Sequence, residues 1–262
     1  AVAGAGTMGQ GIAQVCAASG YNTKIYDVNP ALANKAIDNI SQGLAQLVAK
    51  GKVTEETRAN TLSRLSTASQ LADLKVDVVI EAIIEKLDIK QKLFAELEAI
   101  NLGKAILATN TSSIPVTQIA SVLKNPQQCV GLHFFNPAPL MKLVEVISGV
   151  ATSNDVAEEM KIFSASLQKT AVMVKDSPGF IVNRVARHYY LEALKLLEEG
   201  LATHEQIDRL LTSAGFKMGP FELMDLIGMD VNFAVTSSLY HSFHQEPRFR
   251  PSRIQEQKVM AQ

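Results

Sequence analysis

The sequence predicts an α/β fold, with a doubly wound and mostly parallel sheet, followed by an all-α C-terminal domain. Runs rich in Val and Ile recur between helical segments, as expected for parallel strands that are buried on both faces. A glycine-rich turn joins the first strand to the first helix, and after the turn cluster at residues 176–179 the chain becomes entirely helical. We therefore predict one domain over residues 1–178 and a second over residues 179–262.

The first domain begins with AVAGAGTMGQGIAQ, which predicts a strand end, a glycine turn and a helix. A second strand is expected in NTKIYDV, where β-branched residues alternate with others. From residue 30 to residue 74 the chain is strongly helical, and a break at Gly51 with a candidate N-cap at Thr54 predicts a protruding helical hairpin. Later strands are expected over residues 76–83, 105–112, 129–135, 142–148 and 171–177.

The second domain is predicted from helical periodicity. Apolar residues form a wide stripe from Val182 to Leu197, and Gly200 ends this helix. Thr203 and Gln206 match a capping box at the start of the next helix, which ends before Gly215.

The composition argues against several classes of partner. With 25 Lys and Arg against 26 Asp and Glu, the formal charge is −1, so nothing in it indicates binding to a nucleic acid or to an anionic membrane. No window approaches the roughly 18 uncharged apolar residues of a membrane helix, and the N-terminus lacks the basic start of a signal peptide. Cys16 and Cys129 suit buried free thiols. We expect a soluble, cytoplasmic protein.

The glycine-rich turn is a candidate cofactor site. Gly4, Gly6 and Gly9 stand in the pattern G-x-G-x-x-G, in which backbone N–H groups and a helix N-terminus hold a pyrophosphate. Asp27 lies 18 residues after Gly9 at a strand end, where an acid accepts hydrogen bonds from the adenosine ribose and repels a 2′-phosphate. The pattern therefore predicts NAD rather than NADP; a glycine turn that binds nothing is the alternative.

Two ionisable residues stand in apolar runs, His133 in GLHFF and Glu145 in KLVEVI. Burying a charge is costly unless it is paired, so we expect each residue to be the other's partner. A carboxylate fixes the tautomer of an imidazole and stabilises the imidazolium, which makes the histidine a competent base. A core histidine bound to a backbone carbonyl and a solvent-facing glutamate are the alternatives. The remaining histidines, at 188, 204, 241 and 244, show no metal-ligand spacing, and we predict no metal site.

Three other polar positions are candidates. Asn110-Thr111-Ser112-Ser113 ends a predicted strand, where its hydroxyls cap the next helix or face the crevice. Asn136 opens a rigid NPAP turn, which has either a functional role or turn chemistry alone. Asn183 stands at the start of the long helix, as a capping group or a substrate ligand.

The chain resembles the 3-hydroxyacyl-CoA dehydrogenase family, which includes 3-hydroxybutyryl-CoA dehydrogenases. The resemblance spans essentially the whole chain, in the blocks GAGTMGQGIAQ, VIEAIIEKLDIKQKLF, LATNTSSIPVTQIA, GLHFFNPAPLMKLVEVI, KDSPGFIVNR and GFKMGPFELMDLIGMD. It implies a Rossmann-like first domain and the NAD-dependent oxidation of an (S)-3-hydroxyacyl-CoA to the 3-oxoacyl-CoA, in fatty acid or phenylacetate catabolism. DVNFAVTSSLYHSFHQEPRFRPS resembles the branch that acts on 3-hydroxyadipyl-CoA in phenylacetate breakdown.

The resemblance also implies residue roles. His133 is the catalytic base and Glu145 its partner, while Ser112 and Asn183 bind the 3-oxygen of the substrate. The helical hairpin resembles the segment that contacts CoA, although no individual residue carries over. The implied NAD-binding residues are Gly4, Ala5, Gly6, Thr7, Met8 and Gly9 at the pyrophosphate, with Asp27, Glu85, Lys90, Ser112 and Asn136 around the rest of the cofactor.

The resemblance and the amphipathic pattern together imply a homodimer through the helical domain. Arg184, Arg187 or another cation near the acyl pocket would meet the terminal carboxylate of a dicarboxylic acyl group. Only three residues precede Gly4, and the family continues beyond this chain with a basic, glycine-rich segment, so we expect a fragment of a longer protein. The apolar residues of the predicted dimer interface are Ile181, Val185, Tyr189, Leu223, Leu226 and Ile227.

Two other functions share parts of this pattern. A β-hydroxyacid dehydrogenase acting on free acids, or an imine reductase, has the same scaffold but usually takes its catalytic lysine from the second domain. Here the catalytic candidates are His133 and Glu145 instead. A non-catalytic NAD-binding protein is the third hypothesis, and activity with any acyl-CoA would exclude it.

Overall fold

The computed structural model describes residues 1–261, which form two compact units that divide after Asp176. Unit 1 contains one eight-stranded sheet in the order β3-β2-β1-β4-β5-β6-β7-β8. Neighbouring strands are parallel except β6 and β7, which are antiparallel. The predicted mostly parallel sheet is therefore confirmed. The strands are β1 (Val2–Ala3), β2 (Thr23–Tyr26), β3 (Leu65–Ala68), β4 (Val78–Glu81), β5 (Ile106–Thr109), β6 (Cys129–Phe134), β7 (Leu143–Ser148) and β8 (Thr170–Lys175).

The helices of unit 1 bury their apolar sides against this sheet. One core cluster joins the first, second and sixth helices to the strands through residues such as Ile12, Ile40 and Met160. Phe94 and Ile119, on the fourth and fifth helices, are also fully buried. The helices are α1 (Thr7–Ala18), α2 (Pro30–Ala49), α3 (Glu55–Leu62), α4 (Leu87–Ile100), α5 (Val116–Ala120) and α6 (Asn154–Ser166).

One stretch of unit 1 differs from the sequence-based prediction. Helices α2 and α3 form the expected hairpin, and Thr54 caps α3 by accepting a hydrogen bond from the backbone N–H of Thr57. The prediction of helix as far as residue 74 is wrong, because Leu65–Ala68 forms β3, parallel to β2. Pairing with the edge of β2 overrides the local helical pattern, since strand formation depends on context more than on propensity.

The described residues of unit 2, which run to position 261, form helices joined by turns and contain no strand. The predicted capping box of Thr203 and Gln206 is present, and Gly200 and Gly215 have the positive φ angles typical of residues that follow a helix. Its core includes Leu194 and other apolar side chains from the first three helices. The helices are α7 (Val182–Glu198), α8 (His204–Ser213), α9 (Pro220–Ile227), α10 (Met229–Ser242) and α11 (Arg253–Met260).

The apolar residues predicted to form a dimer interface divide into two groups. Val185 and Leu226 are largely exposed, with 66% and 70% of their surface accessible, and Ile181 and Ile227 are exposed as well. In contrast, Tyr189 donates a hydrogen bond to the carbonyl of Met218, and Leu223 packs on the core of unit 2. Self-association stays a prediction. Among residues 1–261, none of the helices has the length and apolar character needed to span a membrane.

Candidate active site

The glycine turn lies where the order of the strands reverses. The chain passes from β1 outward to β2 and β3, then resumes at β4 on the other side of β1. In open α/β sheets, ligands bind outside the carboxyl ends of the strands at such a reversal. A Cβ on Gly4, whose φ is +109°, would lie 2.4 Å from the carbonyl oxygen of Ala82, and one on Gly9 would lie 1.9 Å from that of Gly4. Both glycines therefore permit close backbone contacts that no larger residue allows.

A cavity of about 840 Å³ opens beside this turn. Its lining includes Gly6, Thr7, Asp27 and Asn110, together with apolar side chains from the β4–α4 segment. Nothing in the structure lies within 4 Å of the position that a Cβ on Gly6 would take. Gly6 is the N-cap of α1, and no side chain among the described residues caps that end. The first-turn N–H groups of α1 are thus suited to binding an anion such as a pyrophosphate.

Asp27 connects the end of β2 to the glycine turn. One carboxylate oxygen accepts a hydrogen bond from the backbone N–H of Ala5 at 2.9 Å, and the other accepts one from Asn29 at 3.0 Å. These bonds hold a half-buried carboxylate in the lining of the cavity. A carboxylate in that place accepts hydrogen bonds from ribose hydroxyls and repels a 2′-phosphate, so the residues present fit NAD.

His133 and Glu145 lie directly opposite each other on the antiparallel strands β6 and β7. Nδ1 of His133 is 2.8 Å from Oε2 of Glu145. The side chains are 7% and 1% exposed, so both ionisable groups are buried. A carboxylate oxygen accepts hydrogen bonds, so Nδ1 carries the hydrogen and Nε2 is the ring nitrogen able to take up a proton. The structure thus brings the predicted pair together, while its catalytic role stays a prediction.

Neighbouring residues also contact the imidazole and the end of the strand that carries it. The ring of Phe135 lies 4.5 Å from that of His133, measured between centroids. The backbone N–H of Phe134 donates to Oδ1 of Asn110 at 2.8 Å, which joins the end of β6 to the end of β5. Because β5 and β6 are parallel, these residues lie at the same carboxyl edge as the glycine turn. The histidine and the cofactor cavity therefore belong to one edge of the sheet.

Five residues near this edge form a closed hydrogen-bonded loop, here termed the polar ring, through their side chains and one backbone N–H group. They are Glu81, Lys90, Glu85, Thr111 and Thr109. Nζ of Lys90 is 2.6 Å from Oε1 of Glu81 and 3.1 Å from Oε2 of Glu85. The hydroxyl of Thr111 donates to Glu85 at 2.5 Å, and its backbone N–H donates to Oγ1 of Thr109 at 3.2 Å. The hydroxyl of Thr109 closes the loop by donating to Oε2 of Glu81 at 2.8 Å.

The polar ring supports Ser112 and Ser113, here termed the Ser112 segment. Oε1 of Glu85 accepts hydrogen bonds from the backbone N–H groups of Ser112 and Ser113, at 3.0 and 3.2 Å. Burial alone would raise the pKa of Glu85, but the Lys90 ammonium and hydrogen bonds from Thr111 and Ser112 hold it below its ordinary value. An ionised Glu85 is a stronger acceptor for these donors, so the hydrogen bonds that hold the Ser112 segment to Glu85 are strengthened.

Lys90 was predicted to contact the cofactor by family resemblance. Its side chain is only 1% exposed, and its ammonium is paired with Glu81 and Glu85. A role for Lys90 at the cofactor stays a prediction, and these contacts favour an indirect one. Glu81 was not a predicted site residue, although it stands in the apolar run VVIEAI as Glu145 does in LVEVI.

Asn136 is exposed and begins the loop that follows β6. This loop is anchored by Lys169, whose ammonium donates to the carbonyls of Ala138 at 2.6 Å and Met141 at 2.8 Å. Burial lowers the pKa of Lys169. The sequence analysis did not find this anchor, because a lysine beside a strand is ordinarily solvent-exposed.

The remaining candidates belong to unit 2. Asn183 is the second residue of α7 and is half-buried. The guanidinium of Arg184 lies 4.9 Å from the centroid of the Phe243 ring. Arg187 is buried, donates to the carbonyl of Asn232 and to Oγ1 of Thr236, and burial lowers its pKa to about 10. These contacts lie within unit 2, and the predicted contact of either arginine with a substrate carboxylate is untested.

Known proteins resemble this chain over nearly its whole length. The family model for the 3-hydroxyacyl-CoA dehydrogenase NAD binding domain matches residues 1–177, which confirms NAD as the cofactor. The 3-hydroxyadipyl-CoA dehydrogenase of Escherichia coli (strain K12) is 50% identical to this chain, covering 99% of the chain and 55% of the relative. A probable 3-hydroxybutyryl-CoA dehydrogenase of Bacillus subtilis (strain 168) is 41% identical, covering 99% and 91% respectively.

A solved structure gives the same result for the fold. The crystal structure of a 3-hydroxybutyryl-CoA dehydrogenase from Escherichia coli K12 superposes with a TM-score of 0.97 at 50% identity, over 99% of this chain and 56% of that one. The chain thus spans about half the length of the Escherichia coli protein. The model of the C-terminal domain of the same family matches residues 179–262. Since the two family models together cover nearly the whole sequence, the chain belongs to the 3-hydroxyacyl-CoA dehydrogenase family.

Proposed function

We propose that this protein is an NAD-dependent dehydrogenase that interconverts (S)-3-hydroxyacyl-CoA and 3-oxoacyl-CoA thioesters. The observation that carries the proposal is the buried hydrogen bond of 2.8 Å between His133 and Glu145 at the carboxyl edge of the NAD-domain sheet. Oxidation of an alcohol to a ketone requires a base for the hydroxyl proton, and this pair supplies one.

In the proposed reaction, Nε2 of His133 takes the proton of the 3-hydroxyl group. Glu145 accepts the Nδ1 hydrogen bond throughout and stabilises the imidazolium that forms. When bound, NAD would supply the acceptor for the hydride of C3, so that loss of this hydride and of the hydroxyl proton converts the alcohol to a ketone. Ser112 and, in unit 2, Asn183 are assigned to the 3-oxygen by family resemblance.

The proposed cofactor residues combine those that line the cavity with others, including Glu85 and Asn136, that family resemblance implies. The first turn of α1 binds the pyrophosphate through its N–H groups, and Asp27 binds the adenosine ribose. Glu85 and Asn136 are proposed to contact the remainder of NAD, with Lys90 acting through Glu85. The full proposed set at the pyrophosphate is Gly4, Ala5, Gly6, Thr7, Met8 and Gly9.

The acyl group is proposed to be short, of the 3-hydroxybutyryl or the 3-hydroxyadipyl type. Support comes from the relatives, because proteins 50% and 41% identical carry one or the other substrate in their names. We further propose a homodimer formed through the exposed apolar residues of α7 and α9, in a cytoplasmic protein without nucleic acid or membrane partners.

The test is the oxidation of NADH by the purified protein with acetoacetyl-CoA, compared with free acetoacetate at the same concentration. We expect turnover of the thioester alone, and a strong preference for NADH over NADPH because of Asp27. Turnover of the free acid would instead indicate the β-hydroxyacid dehydrogenase class. NADH binding without turnover of any acyl-CoA would favour a non-catalytic NAD-binding protein.

A further inference from the structure

We propose that Glu81 is a positioning residue, whose buried carboxylate holds the Ser112 segment and Glu85 in place for the reaction. The inference rests on the proposed function, in which Ser112 contacts the substrate and Glu85 the cofactor. Glu81 itself is fully buried, with 0% of its surface accessible, and acts through other side chains.

The Glu81 carboxylate accepts hydrogen bonds from three separate parts of the chain. Oε1 accepts hydrogen bonds from the ammonium of Lys90 at 2.6 Å and from the backbone N–H of Ile83 at 2.7 Å. Oε2 accepts one from the hydroxyl of Thr109 at 2.8 Å. The same carboxylate thus holds helix α4, the loop after β4 and the end of β5.

The backbone around Glu81 extends these connections to both ends of the proposed site. The carbonyl of Glu81 accepts a hydrogen bond from Asn110, and the Asn110 side chain accepts one from Phe134, beside His133. On the other side, the carbonyl of Ala82 lies against Gly4 in the glycine turn. Glu81 is therefore linked through Ala82 to the cofactor turn, and through Asn110 on the neighbouring strand end to the strand of the proposed base.

The charge of Glu81 matters as well as its hydrogen bonds. Lys90 is buried and shares its ammonium between Glu81 and Glu85. If Glu81 were neutral, Glu85 would be the only carboxylate among these contacts, and it would be drawn toward Lys90. Such a shift would weaken the hydrogen bonds that Glu85 accepts from the N–H groups of Ser112 and Ser113.

The experiment compares Glu81→Gln, which keeps the shape and removes the charge, with the wild type in steady-state kinetics. A misplacement of about 1 Å costs on the order of 10²-fold in rate, so we expect kcat with acetoacetyl-CoA to fall about 10- to 100-fold. The dissociation constant of NADH, measured by fluorescence titration, should rise. In the protein without ligands, amide hydrogen exchange at Ser112 and Ser113 should become faster.

Glu98→Gln is the matched control. Glu98 is half-buried near the C-terminal end of α4, and its carboxylate accepts hydrogen bonds from the backbone N–H groups of Lys124 at 3.0 Å and Asn125 at 2.7 Å. The substitution is chemically the same and also removes charge-assisted hydrogen bonds, but the polar ring is untouched. We expect Glu98→Gln to reduce stability while kcat, NADH binding and exchange at Ser112 stay at wild-type values.

Thr109→Val keeps the inference testable if Glu81→Gln does not fold. It replaces a hydroxyl by a methyl group of similar size and removes both ring bonds of that hydroxyl, the one to Glu81 and the one from the backbone N–H of Thr111. The same three measurements should therefore change in the same direction. If kcat and exchange at Ser112 stay at wild-type values in a folded variant, Glu81 is merely structural and the inference is overturned. Absence of wild-type activity would instead contradict the proposed function, and the exchange measurement would still decide the role of Glu81.

Discussion

The His133–Glu145 pair and the polar ring are two sets of buried ionisable side chains at the same edge of one sheet, and they are held in different ways. The pair lies on adjacent antiparallel strands, directly opposite in register. The polar ring instead joins two strand ends, a loop and helix α4 through side chains. Paired strands fix two facing residues without further help, whereas loops need a network of their own.

This difference separates two kinds of expected effect. A substitution in the pair removes a chemical group, while the backbone hydrogen bonds between β6 and β7 still hold the two strands together. Such a substitution should therefore reduce turnover more than it disturbs the fold. A substitution in the polar ring removes contacts that hold the loop itself in place, so it should affect both the stability of the protein and the order of the loop.

The largest effect is expected for His133→Asn. General base catalysis contributes about 10²- to 10⁴-fold, so kcat should fall by that factor while NADH binding stays close to wild type. Steady-state kinetics and a fluorescence titration with NADH measure the two quantities. His241→Asn, at an exposed position in unit 2, is the control. Wild-type turnover in the His133 variant would show that another group is the base.

For the polar ring, the largest effect is expected for Lys90→Met. Removing one partner of a buried ion pair leaves an uncompensated charge, here on Glu81, and typically costs about 3 to 5 kcal/mol. We expect a loss of this size in the free energy of unfolding, measured by urea denaturation. Lys104→Met removes an exposed lysine and should stay within about 0.5 kcal/mol of wild type. A loss no larger than that of the control would mean that the ring does not hold α4.

The sequence predicts the His133–Glu145 pair but not the polar ring. The pair is predictable, because His133 and Glu145 are polar residues within strands that are otherwise apolar. Glu81 carries that signal too, yet sequence analysis misses it, since its partner Lys90 lies on a helix where lysine is normally exposed. The helical spacing of Lys90, Phe94 and Leu97 places Lys90 on the buried face of α4, but it does not identify the carboxylate that the ammonium contacts. The connection depends on contacts between segments that are distant in sequence, such as Glu81 and Thr109.

The helices and strands of the fold also differ in how well the sequence predicts them. Long runs with a clear period predict α1, α7 and the central strands, because local pattern and burial agree there. Strand β3 is missed because it has four residues and exposes Ser66 and Thr67 at its centre. Only the pairing of Leu65 with Thr23 and of the residues after it defines the strand. The sequence alone therefore predicts helices and strands that the local pattern defines, and it misses a strand that only pairing with a neighbouring strand defines.

A smaller effect on turnover is expected for Glu145→Gln. The amide retains a hydrogen-bond acceptor for Nδ1 of His133 but no longer stabilises the imidazolium. Hydrogen bonds to charged groups are worth about 1.5 to 3 kcal/mol, which corresponds to about a 10- to 150-fold loss of kcat. A loss as large as that of His133→Asn would show that Glu145 also fixes the ring geometry, which the strands alone were expected to maintain.

The smallest effect concerns the dependence of stability on pH and tests the outer member of the polar ring. The folded-state pKa of Glu85 lies below its ordinary value of 4.5, so its ionised form stabilises the fold. This contribution is present above that value and is lost as the pH falls through the folded-state pKa. The side chain is 36% exposed, so solvent screens the interaction and the contribution is small.

Urea denaturation of Glu85→Gln and wild type between pH 7 and pH 3 measures this contribution. The difference in unfolding free energy should be greatest above the ordinary pKa and should narrow toward pH 3, because protonated Glu85 and glutamine are both neutral. Glu159→Gln, at an exposed position in α6, should show no comparable narrowing. A constant difference would mean that the charge of Glu85 contributes nothing, and that its hydrogen bonds alone hold the Ser112 segment.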